Sequence, residues 1–269
     1  MMRYNRVLTI AGSDSGGGAG IQADIKAISA CGCFAASAIT AVTVQNTLGV
    51  QAVSPLPIEI IAGQIDAVLD DIGADAVKVG MLHSSEVVNC VADALRRHAV
   101  TNIVLDPVMV STSGHRLIEE EAVDTLKSVL MPMCRVITPN IPEAEILLGR
   151  PIAGQEQLPA VARELASMYS VSVLLKAGHL TDDELIDIFY DAECDTMVEL
   201  KSQRVYSRNT HGTGCTLSSA MAAMLAKGMT PVDAARAAKD YINGAIVAGA
   251  GYEIGGGHGP VHHFHEFWK

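Results

Sequence analysis

Aliphatic residues along this chain follow two spacings. Mostly aliphatic runs at 7–11, 76–79, 103–105, 136–137 and 172–175 have the pattern of short strands buried on both faces, and each ends at glycine or polar residues. Between the runs the aliphatics recur every three or four positions, the period of a helix with one buried face. Ile21, Ile25 and Ile28 form such a stripe, stopping near Gly32, and Ile58, Ile61, Ile65, Val68, Leu69 and Ile72 form another behind Pro57. Val87, Val88, Val91 and Leu95 predict a helix over roughly 84–98, with further helices near 119–130 and 157–168. Leu217, Met221, Met224 and Leu225 share one helical face. Thr230-Pro231 supplies an N-cap and a first-position proline for a last helix. Residues 34–44 are β-rich and run into Gln45-Asn46-Thr47, whereas 185–190 and 197–200 alternate between turn residues, as an antiparallel hairpin at a sheet edge does.

Strand alternating with helix predicts an α/β fold: a mainly parallel central sheet, helices on both faces, and a small antiparallel edge. No internal repeat, low-complexity run or linker divides the chain, so a single domain is expected over 1–269. In such sheets ligands gather outside the carboxyl ends of the strands. The polar and glycine residues fall where that rule puts them: Gly12 to Asp14, Gln45, Gly80-Met81, Asp106, Asn140 with Glu143, and Lys176. One shared cleft is the reading that accounts for all of them.

The stretch Asn209-Thr210-His211-Gly212-Thr213-Gly214-Cys215-Thr216 leads directly into a helix. A glycine turn at that place leaves backbone N–H groups converging at the positive end of the helix, a seat for phosphate. Cys215 lies in the first helical turn, where a lowered thiol pKa is expected. The second glycine loop, Gly12 to Gly20, is neither a dinucleotide fingerprint nor a Walker A loop: no G-x-G-x-x-G fits its spacing, and no Gly-Lys pair occurs in the chain. Asp24 is expected to face back from the following helix toward this loop. Asp106, Asn140 and Glu143 offer hard oxygen donors suited to magnesium shared with phosphates, and Lys176 offers a positive charge. With the Gly212–Cys215 turn they make up the parts of phosphoryl transfer. The Gln45 amide offers both a donor and an acceptor to a heterocycle edge.

Hydrophobic residues are 49% of the 269, enough for a full core, and a net charge of −11 argues against nucleic acid or an anionic membrane surface as partner. No apolar run is long enough to span a bilayer or to form a signal-peptide core, so the protein is expected in the cytoplasm. The six cysteines include no CxxC pair. All but Cys215 are read as packing residues, and zinc is not expected. The tail histidines, His258, His262, His263 and His265, are read as a solvated or subunit-contacting segment.

The segments TIAGSDSGGGAGIQADIKAIS (9–29), AVTVQNT (41–47), VKVGML (77–82), LDPVMV (105–110), TPNIPEAEILLG (138–149), HGTGCT (211–216) and GHGPVHHF (257–264) carry a resemblance that runs end to end. The chain resembles the hydroxymethylpyrimidine and phosphomethylpyrimidine kinases of thiamine biosynthesis, in the ribokinase-like superfamily. The resemblance implies a three-layer ribokinase-like sandwich, ATP and Mg2+, a homodimer, and two successive phosphorylations of 4-amino-5-hydroxymethyl-2-methylpyrimidine. It further implies that Gln45, Asp24, Gly12, Met81 and Val108 form the pyrimidine pocket. Gly212, Thr213 and Gly214 would form the anion hole, with Lys176 on the γ-phosphate, Asp106, Asn140 and Glu143 at magnesium, and Cys215 as base. Ser111-Thr112-Ser113-Gly114 departs from the family, which often has a lysine before Ser-Gly, and so bears on the second phosphorylation. Two other readings stay open: a pyridoxal or pyridoxine kinase on the same scaffold, and a non-catalytic pyrimidine- or nucleotide-binding protein.

Overall fold

A computed structural model of the chain describes residues 3–109 and 118–268. The loop departure at 111–114, and Val110 before it, lie outside the described residues. In chain order the elements are β1 (Arg6–Asp14), α1 (Gly20–Ala30), β2 (Phe34–Asn46), β3 (Gly49–Pro55), α2 (Ile58–Asp71), β4 (Ala76–Val79), α3 (Ser85–Arg97) and β5 (Ile103–Leu105). Then come α4 (Glu120–Thr125), which continues as a π turn over Leu126–Leu130, β6 (Val136–Ile137), α5 (Ile141–Leu148), α6 (Leu158–Tyr169) and β7 (Ser172–Leu175). The chain closes with β8 (Glu184–Asp191), β9 (Thr196–Gln203), α7 (Thr213–Ala226) and α8 (Pro231–Gly249).

Nine strands form one sheet in the order β3-β2-β1-β4-β5-β6-β7-β8-β9. Neighbours from β2 to β7 are parallel; β3, β8 and β9 each pair antiparallel with the strand before them. Side chains along the central strands alternate between two cores. Val7, Val104, Val136 and Leu174 pack with α1, α7 and α8 on one face, while Leu8, Ile103, Leu105, Ile137 and Val173 pack with α2 to α6 on the other. This is the expected three-layer sandwich, with the predicted hairpin at the β8–β9 edge.

Two elements differ from the sequence reading. β3 adds an antiparallel strand at the opposite edge, most of it exposed, so its weak hydrophobic signal has a physical reason. α5 is a short helix opened by a capping box: Asn140 Oδ1 accepts from the Glu143 N–H (2.9 Å) and Glu143 Oε2 accepts from the Asn140 N–H (2.8 Å). No helix among the described residues is long and apolar enough to cross a membrane. Of the cysteines read as packing, Cys31, Cys33 and Cys134 are buried and Cys90 is half-buried, but Cys194 is exposed in the β8–β9 turn.

The histidine tail is only partly solvated: His258 is exposed, and His262 and His265 are half-buried. His263 is buried, with its Nε2 3.0 Å from Thr216 Oγ1 in the first turn of α7, and His262 packs edge-on against Tyr252 and Trp268. His258 N–H donates to Thr47 O (2.8 Å), so the tail ties the end of β2 to α7.

Candidate active site

The carboxyl ends of the parallel strands open into a cavity of about 930 Å³. Gln45, Met81, Asp106, Lys176 and the turn from Gly212 to Cys215 all line it. The residues that the sequence scatters over much of the chain are thus brought to one place.

Gly212 takes φ +78°, and a Cβ there would overlap the carbonyl oxygen of Gly18. Glycine at this position lets the late turn lie directly on the first glycine loop. Thr213 N–H donates to Thr210 O (3.3 Å) and Thr216 N–H to Gly212 O (2.9 Å). Among the described residues no backbone acceptor takes the N–H of Gly212, Gly214 or Cys215, so these three are the donors left for an anion. Of the three residues expected in that role, Gly212 and Gly214 keep an N–H free among the described residues, that of Thr213 is taken by Thr210, and Cys215 adds another. Across from them Lys176 Nζ donates to Asp106 Oδ1 at 2.8 Å, and a Cβ on Gly214 would stand 3.2 Å from Nζ and 3.4 Å from Asp106 Oδ2. The anion turn, the lysine and the carboxylate therefore converge.

Charge at this end of the cleft is shaped by burial. Burial alone would lower the Lys176 ammonium, but the carboxylates of Asp106 and Glu143 hold it above its usual value. Asp106 is likewise buried, and Lys176 with Lys78 holds it below the usual carboxylate range; Thr138 Oγ1 also donates to it (3.0 Å). Burial pushes Glu143 up to about 7, helped by Asp106 and opposed by Lys176. Asn140 and Glu143 are largely taken up by their cap, and both line the cavity beside Asp106.

Elsewhere on the wall, a Cβ on Gly12 would meet Met81 Cε at 2.5 Å, so the glycine makes room for the methionine. Val108 lines the same wall. Gln45 is half-buried: Thr43 Oγ1 donates to its Oε1 (3.1 Å), and its Nε2 lies 3.3 Å from His211 Nε2. Asp14 shapes the glycine loop by accepting the N–H groups of Gly16, Gly18 and Ala19, at 2.8, 3.0 and 2.8 Å. The ring of His211 stands 2.9 Å from Asp14 Oδ2. Burial raises the Asp14 carboxyl, yet the His211 bond and the N–H donors hold it below its ordinary value.

Two expectations fail. Asp24 neither faces the glycine loop nor lines the cavity: it is fully buried under the sheet ends, held by Lys78, Thr9 and Ser219. Its position on α1 turns it inward, against β4 and α7. Cys215 does stand in the first turn of α7, but its thiol is not acidic. Burial pushes it up to about 12, with Asp24 and Asp106 adding to the rise and Lys78 opposing it. Desolvation outweighs the helix terminus.

A family model described as phosphomethylpyrimidine kinase matches residues 14–262. The chain belongs to the phosphomethylpyrimidine kinase family. A hydroxymethylpyrimidine/phosphomethylpyrimidine kinase from Rhizobium meliloti is 50% identical over 263 residues, covering 97% of this chain and 98% of the relative. The solved phosphomethylpyrimidine kinase from Clostridium difficile superposes with a TM-score of 0.79 at 41% identity, covering 90% of this chain and 99% of that one. A pyridoxal kinase from Staphylococcus aureus, solved with ADP, superposes at 0.90 and 31% identity, covering 99% and 96%.

Three buried polar groups of this kinase escaped the sequence reading. Lys78 interrupts the aliphatic run of β4, which is the signal that could have found it. Lys239 Nζ donates to Asp187 Oδ2 (2.7 Å), whose Oδ1 accepts the Ala177 N–H (2.7 Å) and so fixes the backbone just after Lys176. His263 is the third. Burial, with Lys26 and His262 nearby, lowers its pKa from 6.5 to about 4. Above pH 6.5 both folded and unfolded states are neutral there, and nothing is gained or lost. As pH falls through 6.5 only the unfolded state takes up the proton, so stability falls, by about 3 kcal/mol once pH 4 is reached. Urea unfolding of the parent and of His263→Phe between pH 7 and 4.5 is expected to differ by this slope, over the opposite slope that the raised Glu143 carboxyl gives to both proteins. An equal slope in both proteins would remove His263 from the account.

Proposed function

We propose that this kinase transfers the γ-phosphoryl group of ATP to the hydroxyl of 4-amino-5-hydroxymethyl-2-methylpyrimidine, and then a second one to the resulting monophosphate. The observation that carries the reading is a single cleft with a heterocycle pocket at Gln45 and Met81 and an anion seat at Gly214, Cys215 and Lys176. The names of its relatives support the substrate, and the nucleotide in the S. aureus structure supports ATP.

In this account the Gln45 amide reads the aminopyrimidine edge while Met81 and Val108 cover the ring face. The hydroxyl oxygen attacks the γ-phosphorus, the bond to the ADP oxygen breaks, and the hydroxyl proton passes to the Cys215 sulfur. With a pKa near 12 the sulfur rests as a thiol, so the step draws on the small fraction that has first released its proton to water, and that thiolate is a strong base. The N–H groups of Gly214 and Cys215 and the Lys176 ammonium meet the charge on the moving phosphoryl group. Asp106 and Glu143 suit Mg2+ as hard donors: among the described residues no donor meets Asp106 Oδ2, and Glu143 adds a second carboxylate beside it. Bound with the nucleotide, the metal would neutralise phosphate charge. Asn140 would support it through its cap with Glu143.

We propose further that residues 1–269 act as one domain in the cytoplasm. A second copy of the chain would cover the exposed Val42, Val44 and Leu48 around the β2–β3 turn.

ADP release tests the function directly. Turnover is expected with the aminopyrimidine alcohol and with its monophosphate, and it should exceed that with pyridoxine at equal concentration. Preference for pyridoxine would move the chain to the pyridoxal kinases, and binding without ADP release would make it a non-catalytic binder.

A further inference from the structure

Under the cleft floor Lys78 and Asp24 form an ion pair shut off from water. Both side chains are 0% exposed, and Lys78 Nζ lies 2.9 Å from each carboxylate oxygen. Asp24 also accepts from Thr9 Oγ1 (2.6 Å) and from Ser219 Oγ (2.8 Å). Ser219 stands four residues after Cys215 on α7, so the pair and the thiol lie along the same side of that helix. Lys78 itself borders the cavity that Cys215 borders. The bare Gly80 leaves room for its ammonium, since a Cβ there would stand 2.8 Å from Nζ.

Fold stability gives little reason for such a pair. Apolar residues of similar volume commonly serve a buried position as well or better. Nor does either residue fit the pyrimidine pocket or the phosphate seat as described. What the pair does have is a position beside the turn that carries the thiol.

We propose that Lys78, anchored by Asp24, is a positioning residue whose ammonium stabilises the thiolate of Cys215 that then takes the proton of the substrate hydroxyl. The inference rests on the assignment of Cys215 as proton acceptor. Four charged groups act on that sulfur: Lys78 from β4, Asp24 from α1, Asp106 after β5 and Lys176 after β7. Of the charges opposing the rise caused by burial, Lys78 acts most strongly, while Asp24 and Asp106 reinforce the rise. The two halves of the ion pair therefore push the thiol in opposite directions, although both hold the same piece of structure together. If the pair acted only by holding structure, loss of either half would move the thiol in the same direction.

The test is alkylation of the intact, nucleotide-free protein by iodoacetamide, followed by peptide mass at Cys215, with the exposed Cys194 as internal reference. Lys78→Met is expected to slow Cys215 by about tenfold or more relative to Cys194. It should lower kcat by a similar factor, with the aminopyrimidine KM held within about twofold. Asp24→Asn should leave the relative rate of Cys215 at or above that of the parent. The double variant Lys78→Met with Asp24→Leu replaces both charges by apolar groups. It should keep its melting temperature yet stay slow in alkylation and turnover. An unchanged relative rate at Cys215 in Lys78→Met, or single variants that shift it in the same direction, would overturn the link to Lys78. Slowed alkylation with an unchanged kcat would instead sink the base role of Cys215.

Discussion

Lys176→Met is expected to lower kcat by about 10³-fold, with the KM for the aminopyrimidine changed by less than about threefold. The size of the effect follows from where the charge sits. Lys176 and Asp106 have side chains only 12% and 2% exposed, so their 2.8 Å contact is not an exposed ion pair worth a fraction of a kcal/mol. In a site closed to water one fixed cation facing a moving phosphoryl group is worth about 4 kcal/mol, which is the stated factor in rate. Methionine keeps much of the packing volume and removes the charge. It also leaves Asp106 and Glu143 beside each other without the ammonium that opposes their repulsion, and the anion seat turns hostile to phosphate. Among the described residues Lys176 bonds Asp106 and none of the groups assigned to the pyrimidine pocket, which is why KM is spared. Steady-state ADP release over a range of pyrimidine concentrations separates the two constants. A variant that keeps its kcat would show that the lysine does not meet the transferring group.

Gly212→Ala is expected to reduce kcat/KM by more than about 10²-fold, beyond what its loss of stability explains. The left-handed φ of +78° costs alanine about 1 kcal/mol by itself. The clash with Gly18 O is the larger matter, because it forces the anion turn away from the first glycine loop, and both loops line the cavity. Gly228 separates the two effects. Its φ is +82° and nothing lies within 4 Å of an added Cβ, so Gly228→Ala meets the backbone cost alone. It should lose a few degrees of melting temperature and keep its turnover. Equal activity in both alanine variants would mean that close approach of the two loops does not matter for catalysis.

How far the sequence speaks depends on which physical signal each feature uses. Strands buried on both faces are short aliphatic runs with polar stops, so β4, β5, β6 and β7 and the residues at their ends were legible. β3 was not, because an exposed edge strand has little hydrophobic pattern to show. Asn140 and Glu143 illustrate a different limit: N-x-x-E serves a helix cap and a metal site equally well in sequence, and the structure shows the cap. Asp24 was misplaced because helical spacing tells which residues share a face but not whether a carboxylate on that face meets solvent or a buried lysine. Lys78 lay in plain view as the one charge in Ala76–Val79, yet only the fold brings its partner from α1. For Cys215 the helix terminus was visible and the burial was not, and burial decides the direction of its pKa.

The central claim is that the phosphoryl group passes over the turn at Gly214 and Cys215. Gly214→Ala addresses it with little disturbance elsewhere, since the residue opens α7 in a conformation that alanine also adopts, while its methyl would stand 3.2 Å from Lys176 Nζ. In a single-turnover quench experiment with γ-labelled ATP, transfer to the aminopyrimidine is expected to slow by about 10²-fold, with melting temperature and pyrimidine affinity near those of the parent. Transfer at the parental rate would place the phosphoryl group elsewhere and contradict the account.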